Sequence, residues 1–303
     1  MGGIYEMTQE AKVVAVQKKY AKKSQIKEIW RRMKKNKLAM IGLAIFCILV
    51  VISLSADLIA DYQELAIKQN GSIRLQRPSK QHLFGTDQYG RDLLARMVHG
   101  SRISLSIGFF TTGISLLIGG ILGAMTGYYG GIFDEVVMRL MDILLSIPSI
   151  LLAIAIVSAM GPSLINLLIA ITISQVPGFT RIVRSTVLTV VGEDYIEAAR
   201  ACGSKDFRII TNDVLPNAIG PIIVQGTMSV AKMILLAAGL SFIGLGIQPP
   251  QPEWGYMLSE AREYMRDYPY LVVIPGIAIA ISVFSINLIG DGLRDALDPR
   301  LKN

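Results

Sequence analysis

The sequence predicts an all-α polytopic membrane protein with six transmembrane helices, and three observations predict it. The 303 residues are 52% hydrophobic and only 17% charged, against about 25% charged in an ordinary soluble domain. Several apolar runs approach or exceed the ~20 residues a helix needs to cross a bilayer. The positive charge is gathered at one end: eleven Lys/Arg lie between Lys12 and Lys37. The net charge of +7 therefore reads as a topology signal and not as a nucleic-acid footprint.

The elements follow in order. Residues 1–37 form a basic segment that the positive-inside rule keeps in the cytoplasm, its basic face held near anionic lipid headgroups. The block "WRRMKKNK" leads into the first span, 38–60. The region before this run is long for a cleaved signal peptide, and the rest of the chain is itself membrane-spanning. Residues 61–100 are polar and fall outside; their seven Lys/Arg between Lys68 and Arg102 oppose the charge rule, but the first span usually dominates topology. The second span, about 103–126, returns to a Gly-rich cytoplasmic turn, "GYYGGIFDE". The third, 136–160, runs out to "GPS", and the fourth, 164–183, returns with a kink expected at Pro177-Gly178. A polar segment, 190–217, separates it from the fifth span, 218–247. Residues 248–270, "QPPQPEWGYMLSEAREYMRDYPY", lie outside with aromatics suited to an interface. The sixth span, 271–293, closes a five-helix core (101–293) and leaves the tail 294–303 inside. Both termini are then cytoplasmic.

The spans are rich in small residues, notably Gly108, Gly113, Gly119, Gly120, Gly123 and Gly127, which let helices approach closely. Such a surface serves ordinary packing or a sliding interface, and the sequence alone does not separate the two.

The polar segment "EDYIEAARACGSKDFRIITNDVLPN" (193–217) reads as helix, sharp turn, helix. Asp194 suits an N-cap, Glu197 to Arg200 favour helix, and Gly203 suits the left-handed residue that ends it. Ser204 can cap a second helix with Asp206 near its positive end. Leu215-Pro216 should stop that helix before the fifth span. Ile196, Phe207 and Ile210 are expected as exposed apolar residues, and Arg181, Arg184, Arg200, Lys205 and Arg208 as cations in or beside the hairpin.

Chemistry-bearing motifs are absent. There is no HExxH, CxxC, GxSxG or phosphate-cradling GxxxxGK[ST], so the chain has no recognisable ATP site of its own. His82 and His99 show no metal-ligand spacing. Cys47, in the first apolar run, and Cys202, in the hairpin, are expected to stay reduced in different environments. A membrane-embedded enzyme would need a nucleophile–base pair or metal ligands at membrane depth, and a passive channel would not need the hairpin.

Glu197-Ala198-Ala199, three residues, Gly203, then Leu215-Pro216 resembles the EAA loop of bacterial ABC importer permeases. "RRMKKNKLAMIGL" (31–43), "FGTDQYGRDLLARMVHGSRISL" (84–105), "LSFIGLGIQPPQPEWGYML" (240–258) and "DGLRDALDPR" (291–300) resemble the second permease of dipeptide, oligopeptide and nickel importers. Asp213 departs from the family pattern, which often has an apolar residue there. The resemblance implies the six-helix fold shared with the methionine permease MetI, and a heteromer: a sister permease, two ABC ATPase subunits that bind the ATP and Mg, and an extracytoplasmic solute-binding protein docked on 61–100 and 248–270. It implies that Glu197, Ala198, Ala199, Gly203, Leu215 and Pro216 form a coupling helix seated in a cleft of an ATPase. It implies no cofactor in this chain and cargo drawn from dipeptides, oligopeptides, nickel, metal chelates or glutathione, with peptide first.

Lys232 stands alone inside the fifth span, where a lysine at the helix centre costs about 2.5–3.5 kcal/mol on insertion scales. It has three possible roles: reaching back to the interface, pairing with an acid of the sister permease, or lining the translocation path. Gln225 and Asn287 are further polar candidates for that path.

Overall fold

The computed structural model describes residues 25–297. Most of the basic N-terminal block and the end of the tail, 298–303, lie outside the described residues. Helix α1 (Gln25–Met33) is a short amphipathic piece. Asn36 then caps α2 (Lys37–Leu54), its side chain accepting from the Ala39 N–H. Met33 and Ala39 are buried against Ala296 near the end of the chain, and the Asn36 side chain donates to Asp295 at 3.1 Å. The first span is thus fastened to the last.

The first span ends earlier than expected, at Leu54. The chain then crosses one end of the bundle through a helical turn (Ala56–Ile59), a π-turn (Tyr62–Ile67) and a 3-10 turn (Gly71–Ile73). Helix α3 (Leu93–Tyr129) begins a full ten residues before the expected 103, capped by the Asp92 carboxylate on the Ala95 N–H at 2.9 Å. Its 37 residues span roughly 55 Å, well beyond a bilayer core. Charge misplaced this boundary: Arg96 is buried and ion-paired, so a polar turn persists as helix beyond the apolar run.

Gly130 and Gly131, at φ +63° and +62°, turn the chain into α4 (Gly131–Leu145). The expected third span, 136–160, is a broken one. α4 and α5 (Ser149–Met160) meet at an 85° bend across Ser146-Ile147-Pro148. Pro148 disfavours helix at the residue before it. Among the described residues, five helices are long and apolar enough to cross a membrane, and six if this bent pair is one span. Helix α6 (Leu164–Val191), by contrast, is continuous through Pro177.

The most extensive helix contact is α3 on α6. Gly119, Gly123 and Gly127 form its seam at every fourth residue. A Cβ on Gly123 would stand 2.5 Å from the Thr180 carbonyl oxygen, and one on Gly119 2.8 Å from that of Val176. The two backbones are as close as glycine permits.

After α6 come α7 (Asp194–Ala201), α8 (Leu215–Phe242), a short α9 (Trp254–Ala261) and α10 (Tyr270–Leu297). α8 runs away from the hairpin and α10 runs back beside it. α10 passes Met228 at Gly290 and Gly220 at Leu297. One apolar cluster sits at the hairpin end, around Val183, Val187, Ile209 and Ile222. Another, around Trp254, Met257 and Leu271, sits at the opposite, cap end.

Candidate functional site

The hairpin is built from its local sequence with three departures from expectation. α7 begins at Asp194, with Glu193 in the capping position at φ −84°, ψ 141° and no side-chain cap. Asp194 and Glu197 therefore act from within the first turn, where negative charge meets the helix's positive end. At the other end, Gly203 takes φ +74°. Its N–H donates to Arg200 O at 2.9 Å, and the Ser204 N–H to Ala199 O at 3.1 Å. These are the paired bonds of a Schellman ending. The expected capper Ser204 is one residue early: Lys205 holds the extended position, and the second helix starts at Asp206.

Leu215-Pro216 does not stop that helix. Asp206–Arg208 runs into a π-turn, Ile209–Val214, which runs into α8 without a break. The Leu215 N–H reaches back five residues to Ile210 O. Pro216 removes one donor, and its ring would crowd the carbonyl four residues earlier. Widening the turn just before it relieves that conflict. The hairpin's second arm is thus one rod with the following span.

The hairpin folds back onto the bundle. Ile196, Ile209 and Val214 are fully buried against Val183, Val187 and Ala218. Of the three apolar residues expected outside, only Phe207 is exposed, at 78%; Ile210 is half-buried. Glu197, Ala198, Cys202, Gly203 and Pro216 are exposed, whereas Ala199 and Leu215 are half-buried. A Cβ on Gly203 would meet nothing within 4 Å, so the tip stands clear of the other described residues.

Tyr128, at the end of α3, roots both arms, a role that no local motif signals. Its hydroxyl donates to Asp206 of the second arm at 2.8 Å. Its ring lies under the Arg200 guanidinium of the first arm, 4.9 Å from the centroid. Asn217 adds a second tie, donating to Tyr195 Oη at 3.2 Å and to Asp213 O at 2.6 Å. Arg181 and Arg184 do not belong to the hairpin. Arg184 holds Asp134 of α4 with two bonds of 2.5 and 2.6 Å, and Arg181 holds Asp142 at 2.6 Å. They brace the bent helix pair.

At the cap end the two expected outer segments pack on each other. Asp87, Arg91, Arg96 and Glu260 form a buried ring of charge. Arg91 bridges Asp87 (2.6 Å) and Glu260 (2.9 Å), and Arg96 donates to Glu260 at 2.6 Å. Burial pushes the Glu260 carboxyl upward, opposed by Arg91. Glu253 caps α9, accepting from the Gly255 and Tyr256 N–H groups at 2.8 Å each and from Ser104 at 3.1 Å. Burial pushes its pKa upward against those bonds. Both histidines are structural: His82 meets Asp92 at 2.7 Å, and His99 meets Ala60 O at 2.8 Å. Among the described residues no cluster of His, Cys, Asp and Glu could hold a metal ion. Cys47 and Cys202 are free thiols.

Lys232 is exposed on α8 and forms no ion pair among the described residues. Gln225, two turns nearer the hairpin, donates to Ser229 at 3.4 Å. Asn287 is half-buried on α10.

Comparison with known proteins places this architecture. A family model described as "Binding-protein-dependent transport system inner membrane component" matches residues 119–303. One described as the "N-terminal TM domain of oligopeptide transport permease C" matches 24–78. The dipeptide transport system permease protein DppC of Alkalihalophilus pseudofirmus is 48% identical over 98% of this chain and 97% of its own length. The di/tripeptide transport system permease protein DppC of Pseudomonas aeruginosa is 46% identical over 92% and 94%. The glutathione transport system permease protein GsiD of Pectobacterium atrosepticum is 40% identical over 91% and 92%. Among solved structures, an inward-facing form of the MetNI methionine ABC transporter superposes with a TM-score of 0.55 at 19% identity, covering 68% of this chain and 98% of that one. Fold, family match and relatives agree: the chain belongs to the binding-protein-dependent transport system inner membrane components, as a multi-pass permease subunit of an ABC importer.

Proposed function

We propose that this permease imports short peptides, and that its hairpin is the element through which separate ATPase subunits move it. The observation that carries the reading is the hairpin itself. A Schellman-closed tip presents Glu197, Ala198 and Gly203 to solvent, while its second arm is continuous with a membrane span. A force applied at the tip is delivered along that rod, because the arm passes into the span with no intervening loop to absorb the displacement. The small face at Ala198 and Ala199 permits close approach, the glycine permits the sharp turn, and Glu197 supplies a charge to set register.

On this reading the hairpin, both termini and the basic N-terminal segment are cytoplasmic. The cap end faces out and meets a solute-binding protein. A sister permease completes the path, and two ATPase subunits hold the ATP and Mg. Peptide is the cargo class that the relatives' names favour. Glutathione, carried by name in another relative, is itself a γ-linked tripeptide with free carboxylates and fits the same class.

The test is reconstitution of the permease pair with its ATPases and binding protein, with dialanine as the probe. Gly203→Val forces a β-branched residue into φ +74°, costing about 1 kcal/mol or more locally, and should abolish uptake while the protein still inserts. Glu197→Lys should lower ATPase retention on purification. Normal uptake and full ATPase retention in both variants would remove the hairpin from the coupling route.

A further inference from the structure

We propose that Lys232 is the carboxylate-reading residue of the translocation path, meeting the C-terminal carboxylate of a peptide at mid-depth; this rests on the peptide-import reading above. Lys232 stands well inside α8. Seventeen residues separate it from Leu215 and ten from Phe242, the ends of α8. At ~1.5 Å per residue these are roughly 25 Å and 15 Å of helix on either side.

Among the described residues nothing closes the face it occupies. Gln225, Met228, Lys232, Leu235 and Gly239 recur at alternating steps of three and four, so they form one stripe along α8. Every member of that stripe is exposed or half-buried, Leu235 at 57%. It is also mixed in character: an amide, a thioether, a cation and a backbone-exposing glycine. A face turned only to lipid would have no use for the amide or the cation. Between Val273 and Phe284, by contrast, the exposed residues of α10 are uniformly apolar.

A second polar group stands at the same level. α8 and α10 are antiparallel, with Gly220 beside Leu297 and Gly290 beside Met228. One turn further from the hairpin, that register sets Lys232 level with Asn287. A cation and an amide at one depth, on neighbouring helices, suit a carboxylate next to a peptide bond: the ammonium takes the charge and the amide takes a main-chain donor or acceptor. Among the described residues Lys232 pairs with no acid: Asp291 lies about a turn towards the hairpin and no ion pair joins them. The lysine is therefore left for cargo passing along the stripe.

The experiment uses the full reconstituted importer with dialanine and its C-terminal amide, dialaninamide, each supplied at a concentration that saturates the binding protein. The wild type should move dialanine at least ten times faster than the amide. Lys232→Met should bring that ratio close to one by slowing dialanine, and Lys232→Arg should hold an intermediate ratio. An unchanged ratio in Lys232→Met overturns the inference while leaving peptide import intact. Loss of the sister permease on purification of both Lys232→Met and Lys232→Gln overturns it in favour of an inter-subunit ion pair. If the wild type moves neither probe, peptide import itself falls, and the inference falls with it.

Discussion

Tyr128 gives the sharpest test of how the hairpin is held. Tyr128→Phe deletes one oxygen, which donates to Asp206 at 2.8 Å, and leaves the ring beneath Arg200 at 4.9 Å. Hydrogen bonds to charged groups contribute about 1.5–3 kcal/mol when well buried, and ordinary ones about 1. Asp206 is exposed, so water replaces the lost donor and the lower figure applies. At about 1 kcal/mol the second arm should open roughly five times more often. The first arm should change little, because a partly exposed cation–π contact worth about 0.5–1 kcal/mol survives. Tyr128→Leu removes both ties and should loosen both arms. The assay is amide hydrogen exchange of the assembled importer in nanodiscs, comparing 206–214 with 194–201. Tyr128→Phe should speed exchange in the first window alone, and transport per ATP hydrolysed should fall with it. Equal acceleration in both windows, or none in either variant, would refute the idea that one tyrosine roots the two arms separately.

Two further outcomes follow from the same structure. In a background with Cys47 and Cys202 replaced, single cysteines at Ser79 and Gln251, both exposed, should react with an impermeant thiol reagent in intact cells, whereas ones at Ser24 and Lys302 should not; labelling at Lys302 would invert the proposed topology. Glu253 has a folded-state pKa raised by burial, so the stability it contributes is fully present below its unfolded value near 4.5 and is lost as pH rises through the folded value. The importer's melting temperature should therefore fall over that window, and Glu253→Gln should flatten the slope; an unaltered slope would assign it to other groups.

What the sequence revealed divides along physical lines. Gly203 was legible because a left-handed residue has a local cause, the absent Cβ, that needs no neighbours. The apolar spans were legible for the same reason: burial in lipid is written in each segment. The prolines were not. Pro148 breaks a helix, Pro177 sits inside a continuous one, and Pro216 is carried by a π-turn. A proline's missing hydrogen bond has the same local cost in each case, so the neighbours decide. Pro177 is buried in the tight α3–α6 seam, with Val176 and Phe179 against Gly119, whereas Ile147 and Ile150 beside Pro148 are exposed with little to hold a straight helix. Ile196 was misread as exposed because its burial depends on the hairpin folding back over α6. Tyr128 and the Asp87–Arg91–Arg96–Glu260 ring were missed because their partners lie up to 169 residues away in sequence (91 to 260).

The glycine seam between α3 and α6 is the remaining question from the sequence, and its geometry permits a directional prediction. Replacing Gly by Ala inside a helix stabilises by up to about 1 kcal/mol through propensity alone. Gly113 is exposed with nothing within 4 Å of an added Cβ, so Gly113→Ala should be neutral or mildly stabilising. At Gly123 the same methyl would stand 2.5 Å from Thr180 O and 2.8 Å from Val183 Cβ. Backbone cannot swing aside as a flexible side chain does, so α6 must move away, and overpacking of this kind costs about 1–3 kcal/mol. The net for Gly123→Ala is destabilisation of up to about 2 kcal/mol. That shift in α6 also moves Val183, Arg184 and Val187, the residues on which the hairpin end of the bundle rests. Thermal unfolding of the purified importer should rank Gly113→Ala at or above the wild type and Gly123→Ala below it. Exchange in 194–214 should quicken only in the second. If Gly123→Ala melts with the wild type and leaves that exchange unchanged, the two helices are not in backbone contact, and the seam is a loose surface of small residues.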